Sequence, residues 1–253
     1  YTLMVVALIS FVLFLMIERK SKNPMINLTL FRSRQFSINL ITGFMVFICT
    51  AGTMLLFPLF LQNVLLYGAQ QTGLMLAVTP IFVSIVAPLS GILSDRIGSR
   101  PISTLGLFIL ALGFISVSTL SENTTLIGYL LRFVPVGIGI GLFQSPNNSA
   151  VMGSVPHENL GVASSLLSLT RTVGQITGIA VLSAIWENRV AFYNEGFVLG
   201  GATFAPITTQ VKGLQDTIII AVIILSAAFL ISLFALLEYL KSKKQRSLTP
   251  DNI

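Results

Sequence analysis

Gly91 to Pro101 reads GILSDRIGSRP, and its Asp95, Arg96 and Arg100 stand between two long stretches that carry no charge. Back from Ser94 to Gln35, and forward from Pro101 to Ser121, every residue is uncharged. A soluble domain carries about a quarter charged residues. This chain of 253 residues has 9%, with 54% hydrophobic residues and a mean hydropathy of +0.88. Much of its surface must therefore meet a solvent other than water. Uncharged runs of about 20 residues match a hydrocarbon core of roughly 30 Å at 1.5 Å rise per residue. Lipid leaves only helices or closed barrels as spanning structures, and these runs lack the ten-residue alternation of barrel strands. The expectation is an all-α, polytopic membrane protein.

Seven apolar segments follow, near 1–17, 37–64, 73–94, 102–120, 126–152, 161–185 and 216–237. The first, YTLMVVALISFVLFLMI, has neither a charged n-region nor a small-residue cleavage site, so it does not read as a signal peptide. It reads as a transmembrane helix cut short, which makes the chain a fragment. Residues 18–36 read as a cytoplasmic linker, 37–240 as a six-helix bundle and 241–253 as a cytoplasmic tail. The single cysteine, Cys49, lies mid-span, so no disulfide forms within the chain.

The basic residues fix the orientation. Arg19, Lys20, Lys22, Arg32, Arg34, Arg96, Arg100, Lys241, Lys243, Lys244 and Arg246 fall on one side, against Arg189 and Lys212 on the other. Excess Lys and Arg in short loops marks the cytoplasmic face. The opening stretch is then a cytoplasmic hairpin in a cell-membrane protein whose C-terminus is also cytoplasmic. The net charge of +6 is a topology signal; its cations are scattered over separate loops, so no nucleic-acid partner is expected. Asn23-Pro24 reads as an N-cap and first helical position, opening either a short interfacial helix or an irregular linker. The Trp186–Gln215 segment carries Trp186, Phe192, Tyr193, Phe197 and Phe204, which read as interfacial aromatics or, more sharply, as a lid.

Gly91 permits close helix approach, and Gly98 a tight reversal at positive φ. Asp95 is suited to accept hydrogen bonds from free amides at a neighbouring helix start. Arg96 and Arg100 are expected to face anionic headgroups. The pattern Gly-x-x-x-Asp-Arg-x-Gly-x-Arg resembles the loop motif that the major facilitator superfamily repeats between the second and third helices of each half. Ser99 departs from it, where the family often has a further basic residue. The runs LLRFVPVGIGIGLFQSPNNSAVMGSVPHENLGVASSLLSLTRTVGQITGIAV and PLFLQNVLLYGAQQTGLMLAVTP resemble the fourteen-span drug:proton antiporter branch. The resemblance implies the six-helix C-terminal bundle of a major facilitator fold, preceded by one truncated transmembrane helix. It implies proton-coupled export of small amphipathic compounds by alternating access. The partners would be the substrate, protons, the bilayer and the N-terminal half of the same transporter. The hairpin of Gly91, Asp95, Arg96, Gly98 and Arg100 would latch one end state.

Two arginines lie within spans. Arg132 sits about six residues, roughly 9 Å, inside one end of its helix, within snorkelling reach of the interface. Arg171 lies about ten residues from the cytoplasmic end of its span. A mid-bilayer charge costs about 2.5–3.5 kcal/mol even on a lenient insertion scale, so it should face the bundle interior. Gln175, one turn on, shares its face; Gln144 and Asn148 share another. Together with Arg132 and Arg171 these three are the candidates for a substrate cavity. No acid lies deep in a span, so a proton-carrying carboxylate would belong to the other half. The chain shows no nucleotide loop, metal cluster or nucleophilic triad, and it reads as a non-enzyme without metal or cofactor. The rival reading is a seven-helix receptor or sensor without transport activity.

Overall fold

A computed structural model describes residues 28–196, 198 and 200–248. The segment at 1–17, the linker cations Arg19, Lys20 and Lys22, the Asn23-Pro24 cap and Phe197 lie outside the described residues. Within them, six helical spans are long and apolar enough to cross a membrane.

The first span joins α1 (Arg34–Leu59) to one π turn (Phe60–Val64). Ser33 caps it, its Oγ accepting from the Phe36 amide at 3.4 Å. Pro58 cannot donate within the last turn of α1, and the ladder loosens just beyond it. The second span is α2 (Ala69–Leu76) followed by α3 (Val78–Ile97). The seam at Ala77 lies where Pro80 withholds a donor from the preceding turn. Gly98, at φ 101°, is the one residue between α3 and α4 (Ser99–Val117), as the sequence anticipates. Then come α5 (Leu126–Met152), capped by Thr125 accepting from the Gly128 amide at 3.1 Å, α6 (Leu160–Tyr193) and α7 (Ile207–Leu248).

Several expected boundaries are corrected. The second span begins at Ala69 rather than 73, because Gln70 and Gln71 continue a helix although they add no hydropathy. α6 runs eight residues past 185, with Trp186 and Val190 buried one turn apart on its inner face. α7 exceeds 216–237 at both ends. α1 begins at Arg34, three residues before the expected start of its apolar segment. At the end of the linker, Leu28–Arg32 forms a 3-10 turn seated on the bundle by buried Leu30, which joins Phe36, Leu40, Val151 and Leu166. Trp186 is buried too, and its Nε1 donates to the Gln210 carbonyl at 3.3 Å, so it is a core residue rather than an interfacial one.

α1 packs along α6, and α3 along α5. α4 lies on α5 and α7, and α7 also touches α1 and α6. Take the first three spans and the last three as two triplets. Exchanging them turns the α1–α6 contact into α3–α5, turns α4–α5 into α1–α7, and returns α4–α7 to itself. That is the pattern a two-fold axis between inverted three-helix repeats demands.

Small residues permit these contacts. In the run GIGIG, a Cβ on Gly137 would meet the Phe82 Cβ at 2.8 Å, and one on Gly141 the Val86 Cβ at 2.9 Å, both on α3. Gly139, facing the other way, would meet the Leu110 amide nitrogen on α4 at 2.5 Å. Ser90 adds a hydrogen bond from its hydroxyl to the Gly141 carbonyl at 2.8 Å. The surfaces of α3 and α7 stay largely bare: Ile81, Ile85, Leu89, Ile223, Leu230 and Phe234 are all exposed. In water such a surface would be an aggregation hazard; in a bilayer it is the expected lipid-facing coat.

Candidate functional site

A cavity of about 450 Å³ opens between α1, α2, α3, α4, α5 and α6. Its wall is aromatic. The Tyr129 ring stacks on Phe133 at 4.1 Å between centroids, and Phe57 meets Phe133 edge-on at 4.6 Å. Pro58, Leu76, Pro80 and Val83 complete the apolar lining. The polar contribution is sparse and placed. Thr50 and Thr53 donate their hydroxyl protons to Val46 and Cys49 carbonyls at 2.8 and 2.7 Å, which leaves their oxygens as acceptors. The Tyr129 hydroxyl is fully buried and has no hydrogen-bond partner among the described residues. Gln175 sits at the rim, exposed. Mostly apolar walls with a few convergent polar atoms are the usual make-up of a small-molecule site.

Of the residues expected in a cavity, only Gln175 borders this one. Gln144 and Asn148 are half-buried and do not line it. Their neighbour Asn147 is the buried one, with Oδ1 unpaired. Arg132 turns away: its Nε donates to Thr119 Oγ1 at 3.0 Å and its Nη1 to the Gly128 carbonyl at 2.8 Å. The side chain thus reaches back towards its own helix end, as snorkelling describes, and Arg132 does not line this cavity. Arg171 lies against the ring of Phe47, Cζ to centroid 5.2 Å, and its buried Nε has no acceptor. No hydrogen bond joins Arg171 to Gln175, although they are one turn apart.

The sequence reading missed Thr50, Thr53, Tyr129 and Phe133. Tyr129 and Phe133 stand at i and i+4 in a helix rich in Phe and Leu, where an aromatic pair reads as ordinary core. Only the unpaired hydroxyl sets Tyr129 apart, and that needs coordinates.

At the opposite end the 91–101 hairpin is formed, with corrections. Gly91 faces Ser145, but a Cβ there would lie 3.4 Å from its Oγ, an ordinary contact that does not require glycine. Asp95 is exposed in the last turn of α3, and neither an amide nor a cation of the described residues pairs with it. Arg96 is exposed, whereas Arg100 is half-buried against the bundle. Its Nη2 donates to Gln35 Oε1, and its Cζ lies 4.2 Å from the Tyr239 ring centroid. Near the far end Arg189 pairs with Asp216 at 3.5 Å, and Tyr193 donates to the same carboxylate at 2.9 Å. The Gln210 Nε2 donates to the Thr203 and Ala205 carbonyls at 3.1 and 2.7 Å. These bonds tie the segment before α7 to the bundle. Among the described residues no cluster of His, Cys, Asp or Glu has the make-up of a metal site.

Comparison with known proteins agrees with this architecture. The chain is 32% identical over 194 residues to the uncharacterized transporter YebQ of Escherichia coli, covering 77% of this chain and 42% of that protein. It is 38% identical over 173 residues to the multidrug resistance protein Stp of Mycobacterium tuberculosis, covering 68% of this chain and 32% of that one. Against the multidrug transporter protein MdtP of Bacillus subtilis it is 28% identical over 223 residues, 85% of this chain and 41% of MdtP. The chain therefore spans between about a third and two-fifths of the length of these curated relatives. The model of the Major Facilitator Superfamily matches residues 1–179, well over half of the sequence, and together with six apolar spans it settles the family: this chain is a multi-pass, all-α membrane protein that belongs to the major facilitator superfamily.

Proposed function

We propose that residues 37–240 form the C-terminal half-bundle of a secondary transporter of the fourteen-span drug antiporter type, which exports small amphipathic compounds in exchange for protons. The observation that carries this reading is the apolar, aromatic-lined cavity. The ring-backed wall receives a flat apolar body, and Thr50 and the exposed Gln175 meet one polar end. Relatives named for multidrug resistance and multidrug transport support a substrate of that character. The N-terminal half, which supplies the proton-carrying carboxylate, closes the other wall, and the two halves rock about the cavity. Family membership favours this over the seven-helix receptor.

The test uses the full-length protein in everted membrane vesicles with a fluorescent amphipathic dye. Dye accumulation should rise when the lumen is acidified and collapse on adding a protonophore. Accumulation indifferent to the protonophore would remove proton coupling, and no accumulation across a dye panel would remove the export reading.

Sidedness belongs to the same proposal. The hairpin and the C-terminus face the cytoplasm of a cell membrane, so a cysteine at Ser99 should react with an impermeant thiol reagent in everted vesicles and not in intact cells. Labelling from outside intact cells overturns that orientation.

Asp95 latches one end state in this mechanism. It sits beside the negative pole of α3, where a carboxylate is unfavourable by about 0.3–1 kcal/mol, and no described cation compensates it. Its partner then lies outside the described residues. Asp95→Asn is expected to slow dye transport about tenfold, the equivalent of ~1.4 kcal/mol, while the amount of protein in the membrane stays the same. Unchanged rates would sink the latch.

A further inference from the structure

The second large cavity lies at the hairpin end, between α1, α4 and α7, with a volume of about 440 Å³. We infer that it binds the phosphate of an anionic phospholipid headgroup. Three observations converge. First, Arg34 and Arg100 both line it, and Arg100 is held in place by Gln35 and by the face of Tyr239. Second, Asn39 lines the same cavity, is 8% exposed, and its Nδ2 has no acceptor among the described residues. A buried amide donor without an acceptor costs about 1–3 kcal/mol. Beside two guanidinium groups, the chemistry that fills that gap is an oxyanion.

Third, charge and surroundings select the kind of oxyanion. Glu238, also in the lining, pairs with Arg34. Two cations and one carboxylate leave a single net positive charge. A phosphodiester carries one negative charge and matches it; a phosphate monoester carries about −1.5 to −2 at pH 7 and overshoots. The flanks of the cavity are apolar and open. Ile41 on α1, Phe108 on α4 and Phe234 on α7, whose ring centroid lies 5.9 Å from the Arg34 Cζ, are 51, 43 and 59% exposed. Acyl chains would lie on these side chains while the headgroup enters between Arg100 and Asn39. A soluble anion would use none of that surface.

The experiment is native mass spectrometry on the detergent-purified full-length protein, supplied in turn with phosphatidylglycerol, with a diacylglycerol of the same acyl chains, and with inorganic phosphate. Wild-type protein should retain one phosphatidylglycerol above the detergent baseline and no diacylglycerol. Retention should fall at least fivefold in Arg100→Gln and, separately, in Asn39→Leu, which removes the amide but keeps the side-chain volume. Lys241→Gln removes an exposed cation at the same end of α7 that does not line the cavity, and should leave retention unchanged. Size-exclusion profiles confirm that each variant is folded. Equal retention of diacylglycerol, equal retention by all three variants, or an equal loss in Lys241→Gln overturns the site. Stabilisation by inorganic phosphate with no retention of phosphatidylglycerol overturns the lipid assignment.

Discussion

Gly178→Leu is expected to part α1 from α6 and to lower the temperature at which the bundle opens by about 5–10 °C. The two helices meet backbone to backbone. A Cβ on Gly178 would overlap the Ile48 carbonyl oxygen and lie 2.7 Å from the Ile48 Cα. From the other side, a Cβ on Gly52 would lie 2.5 Å from both the Gly178 oxygen and Leu182 Cδ1. One turn earlier, Gly174 fits against the Phe47 Cβ at 3.0 Å. Atoms of a main chain cannot rotate out of the way, so an added side chain moves a whole helix. Overpacking costs about 1–3 kcal/mol in soluble cores. In lipid the exposed groove regains nothing, since acyl chains are as apolar as leucine. At about 2–4 °C per kcal/mol for a domain of this size, the stated shift follows. Cys49 reports it directly: it neighbours Ile48, it is fully buried, and it is the chain's single cysteine. Its peptide, followed by mass spectrometry, should be alkylated at a lower temperature in Gly178→Leu than in wild type. Gly73→Ala is the control, because a Cβ there meets nothing within 4 Å. It should be neutral or stabilising, by up to about 1 kcal/mol of helix propensity. Equal alkylation profiles for Gly178→Leu and wild type would show that the α1–α6 contact does not limit stability.

The spacing Gly174-x-x-x-Gly178 marks in the sequence a face that admits a close neighbour, though not which helix it meets, and the turn at Gly98 was legible outright. Both depend on what glycine lacks, which a sequence states outright. Helix ends were less legible, for a definite reason. Hydropathy measures residence in hydrocarbon, whereas a helix continues wherever its backbone bonds and inner face are satisfied. Trp186 and Val190 carry α6 beyond its apolar run in this way, and Gln210 and Leu214 lie on α7 well before 216. The site was least legible. Its cavity gathers Thr50, Thr53, Leu76, Tyr129 and Gln175 from elements far apart in sequence, each unremarkable in its own segment. Charge located candidates but not roles. Arg100, expected on an exposed loop, is half-buried and bound to Gln35, and Arg132, expected in the cavity, closes onto Thr119. A cation's depth along a helix is readable from sequence; the direction of a long flexible side chain is set by acceptors on other helices.

Arg171→Ala is expected to reduce transport at least tenfold while leaving the stability of the protein unchanged or slightly raised, and the opposite signs are the informative part. In a structural ion pair, deleting one partner strands the other and destabilises the fold by about 3–5 kcal/mol. Arg171 has no such partner among the described residues. Its Nε lacks an acceptor and its guanidinium rests on Phe47 alone. A cation–π contact contributes about 0.5–2 kcal/mol, less than the roughly 2.5–3.5 kcal/mol that a mid-bilayer arginine costs. Removing the side chain therefore relieves the chain as described. On the proposed transport reading, the missing stabilisation comes from a group that Arg171 meets only during transport, an anionic part of the substrate. Arg171→Lys separates geometry from charge, because an ammonium keeps the charge but loses the planar stack on Phe47 and the fork of donors. It should recover part of the rate if charge is what the partner reads, and none if the fork is. Initial dye-uptake rates in everted vesicles, normalised to protein amount, give the first sign. The alkylation temperature of Cys49 gives the second. A variant that transports at the wild-type rate removes Arg171 from the mechanism. One that loses transport and stability together makes it a structural charge whose counter-ion lies in the other half.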